Sequence, residues 1–183
     1  MTGRWSDMGP GERAVVEASF LALETAALIG ADRPVGAKPS PSALWAHVTG
    51  AVPIPRAELG AALIRHPDLR ATLAGMLARS AIASAPRVAA AATGHPVSER
   101  GGDGFRLRLL PARGAPDQTW IMIALDTPRP APAPTRLTVL PPDGAPETVA
   151  LEAPVDGSVQ LLAETHSALV RAISDPTAVV FLL

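Results

Sequence analysis

Val179, Val180, Phe181, Leu182 and Leu183 form an unbroken apolar run. Side chains alternate between the two faces of a strand, so a strand built from this run has no polar face to give to water. Burial between two covering layers satisfies it, whereas an edge or surface position would expose a large apolar area. Asp175 and Pro176 stand just upstream, where the proline ends a preceding helix and turns the chain back. The run therefore predicts an interior strand packed on both faces, and the rest of the chain has to supply both the sheet and its cover.

The sheet is legible upstream. Residues 105–110, 120–125, 136–140, 148–151 and 159–162 are short β-prone runs bounded by Pro, Gly or Asp, the pattern of strands joined by tight turns. In the first run Phe105, Leu107 and Leu109 alternate with Arg106 and Arg108, which gives one buried and one solvated face. The PPDG sequence at 141–144 and the Asp156-Gly157 pair are turn signals. Residues 166–173 read as one helix crossing the sheet before the last strand, with His166 or Ser167 as its cap.

The cover is expected from helices. Residues 11–29 place Val16, Phe20, Leu23 and Ala27 on one face and Arg13, Glu17 and Glu24 on the other, with Gly30 suited to the C-terminal stop. Ser40 followed by Pro41 opens a short helix that Gly50 closes, and Pro55, Pro67 and Pro86 each stand where a helix can begin. These last three predict helices to Arg65, Ala83 and Gly94, with a break at His66, because Pro67 cannot continue the preceding helix. The fold class expected is α+β. A helical module spans 1–93, a polar glycine-rich connector spans 94–104, and a mainly antiparallel β-rich module spans 105–183. The GGDG run at 101–104 is read as a hinge inside that connector. The TPRPAPAPT run at 127–135 is read as a stiff extended loop.

Composition narrows the function classes. A net charge of −1 gives no field that would draw the chain to nucleic acid or to an anionic membrane. With no cysteine there is no disulfide framework and no thiolate nucleophile or metal site. Glu17 and Glu24 interrupt the apolar stretch at 14–29, so no signal peptide and no membrane span is expected, and the location expected is the bacterial cytoplasm. No partner on a membrane or nucleic acid is expected.

Chemistry-bearing patterns are sparse. His47, His66, His95 and His166 lack the close spacing of common zinc motifs, so no metal and no cofactor is expected. There is no G-x-S-x-G elbow. For an enzyme, the residues to inspect are His166, Asp126 and Asp156 near the sheet turns, although turn and cap chemistry accounts for each of them. Arg100, Arg106, Arg108 and Arg113 form a candidate anion-binding strip, against the plainer reading of a solvated strand face.

The ALWAHVTG run at 43–50, followed by ELGAALIRHPDLRATL at 58–73, resembles the N-terminal helical module of bacterial anti-sigma factors. It does so over residues 43–77, and the family's zinc-binding His and Cys pattern is absent. The resemblance implies a non-enzymatic protein whose helices grip a partner. The function expected is accordingly that of a regulatory or adaptor protein binding another protein, with Leu59, Leu63, Leu73 and Leu77 as core or contact positions. The alternatives are an enzyme with a site near the sheet turns and a structural subunit of a larger assembly.

Overall fold

The computed structural model describes Gly9 and residues 36–87, 96–127 and 132–183. The helix expected over 11–29, the piece opened by Pro86 beyond Arg87, His95, and residues 128–131 of the proline-rich loop lie outside the described residues.

The helices begin and end where their punctuation places them. Ser40 Oγ accepts the Ala43 N–H at 3.2 Å and opens α1 (Pro41–Thr49), and Gly50 closes it at φ 80°. A residue in that left-handed conformation releases its N–H to the last carbonyls of the helix, which glycine does without a Cβ penalty. α2 (Arg56–Arg65) and α3 (Pro67–Ser80) are divided at His66, whose extended backbone ends one helix and precedes the other. Further along, Ser167 Oγ accepts the Val170 N–H at 3.3 Å and caps α4 (Ala168–Ser174).

The strands are β1 (Ala83–Ala85), β2 (Glu99–Gly102), β3 (Phe105–Ala112), β4 (Ala115–Leu125), β5 (Arg136–Leu140), β6 (Glu147–Ala150), β7 (Ser158–Glu164) and β8 (Val179–Leu182). They form two four-stranded sheets, ordered β1-β8-β5-β6 and β2-β3-β4-β7, with every pairing antiparallel. The fold is α+β. Asp156 and Gly157 both take positive φ in the two-residue turn closed by the Val155–Ser158 bridge, the geometry that suits the right-handed twist of a hairpin.

β8 lies between β1 and β5, and its two apolar faces are both covered. Val180 and Leu182 join Leu137 and Val139 in a core shared with Phe105, Leu107, Ile121 and Ile123 of the second sheet. Phe181 and Leu183 join Leu140 in a second core with residues of α1, α2 and α3. The molecule is thus layered as α1–α3, first sheet, second sheet, with Val170, Ala172 and Ile173 of α4 in the core the two sheets share, and the five apolar residues at 179–183 are the shared wall.

Two strands were not foreseen. β1 begins at Ala83, the expected last residue of a helix, and α3 stops at Ser80 so that Ala83, Ser84 and Ala85 can pair with Leu182, Phe181 and Val180. β2 lies inside the expected connector. Its ERGG sequence has no β-branched residue, yet Asp103 and Gly104, with Gly104 at φ 87°, form the hairpin turn that folds it onto β3. GGDG is therefore a hairpin end and not a hinge. Gly102 is required there: a Cβ would stand 2.7 Å from the Ser84 carbonyl oxygen, so β1 and β2 could not approach as they do.

Arg100, read from sequence as part of an exposed strip, faces inward opposite Leu107 and is 1% exposed. Its Nη1 donates to the carbonyls of Ile173 and Asp175 at 3.3 and 2.6 Å, and its Nη2 donates to those of Pro86 and Ala178 at 3.1 and 2.5 Å. Burial lowers its pKa from the usual arginine value, and the nearby Asp175 carboxylate opposes that shift. One guanidinium thereby ties together the chain leaving β1, the C-terminal end of α4 and the approach to β8.

Candidate functional site

Leu59, Leu63, Leu73 and Leu77, the candidate partner contacts, are 1%, 3%, 0% and 3% exposed. All four belong to the core that joins the helices to Leu140, Phe181 and Leu183. A side chain held in that core presents no surface to another protein, so these leucines are packing residues. Their helical spacing is common to a core stripe and to a binding stripe, which is why sequence alone left both open.

His166, Asp126 and Asp156 are exposed, but they do not converge. Asp126 follows β4 and Asp156 precedes β7, and the Leu125 N–H bonded to the Gly157 carbonyl brings those two to one end of the second sheet. His166 follows β7 at the opposite end, where the Thr165 N–H meets the Asp117 carbonyl. The seven residues of β7 separate the two groups; at about 3.3 Å per residue that is roughly 20 Å. A general acid and base must meet within hydrogen-bond reach of one substrate, so these three form no catalytic set. A hollow of ≈ 420 Å³ beside Asp156 is lined by Glu152, Ser158 and Gln160 but holds no histidine. Among the described residues no three His, Asp or Glu side chains are grouped to hold a metal ion.

A feature missed from sequence is the outer face of the second sheet. The register pairs Leu110 with Trp120 and Trp120 with Leu162, so these three side chains form one row across β3, β4 and β7. Their exposures are 47%, 36% and 47%, although the inward residues Ile121 and Ile123 of the same strand are 0% and 1% exposed. The next row is Arg108, Met122 and Gln160, and the one after it Arg106, Ala124 and Ser158. Arg106 and Arg108 share a single carboxylate, Glu99, at 3.4 and 3.1 Å. The face therefore presents an apolar row beside a pair of arginines that one glutamate half neutralises. The β7 run and the Trp120 run are both legible as strands, but pairing register, which sequence does not show, is what aligns their apolar residues.

On the helical layer, Trp45 and Ile64 are 44% and 73% exposed, each on a different helix. Among the described residues no helix is long and apolar enough to cross a membrane. No family model matches the chain, and no curated protein or solved structure matches it significantly either.

Proposed function

We propose that this chain is a non-enzymatic interaction protein, of regulatory or adaptor type, that binds a partner protein through the outer face of its second sheet. The supporting observation is the row Leu110–Trp120–Leu162, apolar, exposed and contiguous by register, on a face whose next two rows carry Arg108 with Gln160 and Arg106 with Ser158. Aromatic and aliphatic anchors at the centre of a patch with arginine nearby are the composition of binding surfaces. Because Arg106 and Arg108 share one carboxylate, the complementary partner carries an apolar ridge with acidic side chains beside it. A cytoplasmic bacterial setting belongs to the same proposal, and a chain without cysteine is compatible with a reducing compartment.

The resemblance to anti-sigma helical modules favours a different surface, the exposed Trp45 and Ile64 of the helical layer. The two readings separate experimentally. Tagged wild-type chain and the Leu162→Glu variant, each shown to melt normally, are used to capture proteins from the source cells. A stoichiometric partner held by the wild type and lost by Leu162→Glu supports the proposal. A partner held equally by both refutes it.

A further inference from the structure

Between the C-terminal end of α1, α3 and the helix-facing side of β5 and β6 lies a half-open cavity of ≈ 290 Å³. Much of its wall is apolar, from Val48, Leu73, Leu77 and the two prolines Pro53 and Pro146. Its polar groups are His47, Arg136, Thr138 and Thr148, and each is already oriented by the fold.

Arg136 Nη2 donates to the Val48 carbonyl at 2.7 Å, which leaves Nη1 and Nε uncommitted among the described residues. Gly50 makes room for this side chain: a Cβ there would stand 2.9 Å from Nη1. No described carboxylate pairs with Arg136. His47 Nδ1 accepts the Ile54 N–H at 3.0 Å, so the neutral ring carries its proton on Nε2. Burial, with Arg136 nearby, lowers the His47 pKa and keeps the ring neutral near pH 7. Thr138 and Thr148 hydroxyls lie 3.0 Å apart, and since one hydrogen serves that bond, the other is free to donate elsewhere. No side-chain carboxylate lines the cavity; the Leu183 carboxyl that does line it has one oxygen held by the Thr135 and Arg136 N–H groups.

The uncommitted side-chain groups are donors: guanidinium N–H, imidazole N–H and one hydroxyl, with Arg136 the one charged side chain in the lining. We propose that this cavity binds a small monocarboxylate with an apolar tail, its carboxylate on Arg136 and its tail along the apolar wall. An anion pairs with the guanidinium in a partly desolvated setting where charge-assisted hydrogen bonds are strong, and a cavity near the lower end of the ligand-pocket range takes a short ligand. This site is on the opposite side of the first sheet from the face assigned to the partner protein, and it stands independently of that reading.

Hexanoate is the probe, titrated into the full chain at pH 7 and followed by calorimetry and by the His47, Thr138 and Thr148 NMR resonances. Hexan-1-ol, which matches its tail and lacks the charge, is the control. Saturable one-to-one binding is expected, with shifts confined to the cavity residues and hexanoate preferred by about tenfold or more, the scale of one charge-assisted hydrogen bond. Arg136→Gln is expected to abolish the preference. Should that variant unfold for want of its bond to Val48, Thr148→Val on the exposed strand, expected to weaken hexanoate several-fold and hexanol little, keeps the site testable. Equal binding of the two probes, shifts elsewhere in the chain, or no saturation up to about 10 mM overturns the proposal.

Discussion

Replacing Arg100 with methionine removes a guanidinium from a site that is 1% exposed while keeping a side chain of similar length. Arginine is costly to bury, and exchange of a buried charge for an apolar group is sometimes stabilising when its partners leave with it. Here the partners stay. The carbonyls of Ile173 and Ala178 are accepting buried hydrogen bonds from Arg100, and those of Asp175 and Pro86 partly buried ones. Each orphaned buried acceptor costs about 1–3 kcal/mol, so losing the donor to the two deepest gives a destabilisation of about 2–6 kcal/mol. In a chain of this size that lowers Tm by roughly 4–24 °C. Arg100→Lys should fall between, because three ammonium donors cannot span four carbonyls. Differential scanning calorimetry measures both, with Arg106→Met and Arg108→Met as exposed controls expected within about 0.5 kcal/mol of wild type. If Arg100→Met melts at the wild-type temperature or above it, the clamp is not a source of stability and the reasoning fails.

Deleting residues 179–183 should leave the protein insoluble or without a cooperative thermal transition, since both cores lose a wall; Phe181→Ala alone should cost about 3–5 kcal/mol by denaturant titration. Gly102→Ala should lower Tm by several degrees through its contact with the Ser84 carbonyl, whereas Gly101→Ala, with open space around its Cβ, should lower it far less. His47 has a folded pKa below its ordinary 6.5, so the unfolded chain takes up the proton first as pH falls. Its contribution is fully present above about pH 6.5 and is lost as pH falls through the folded pKa. Urea midpoints between pH 7 and pH 5 should therefore fall less in His47→Asn than in wild type.

Six of the eight strands and the four described helices stood close to their sequence-read positions because local signals were sufficient there. Ser40, Pro67 and Ser167 mark helix starts by chemistry that acts within one turn, and the alternation of Phe105, Leu107 and Leu109 with Arg106 and Arg108 needs no distant partner to be read. The two-sided character of β8 was legible for a related reason: an all-apolar strand tolerates no other placement. β1 and β2 were not legible, because Ala83, Ser84 and Ala85 and the ERGG run carry little strand preference and are held by partners far along the chain. The same non-local pairing turned Arg100 inward. At the candidate site, Trp120 and Leu162 were each visible as strand residues, but their alignment with Leu110 depends on register. The leucines of the helical layer, conversely, were visible as a stripe whose burial only the neighbouring sheet decides.

The claim that the partner meets the second sheet and not the helical layer is tested most directly by site-specific photo-crosslinking in the source cells. A photoreactive phenylalanine derivative is placed at Trp120 in one variant and at Ile64, the 73%-exposed residue of α2, in another. The account predicts one discrete crosslinked species from position 120 and none from position 64. A discrete adduct from position 64 with none from position 120 would contradict it.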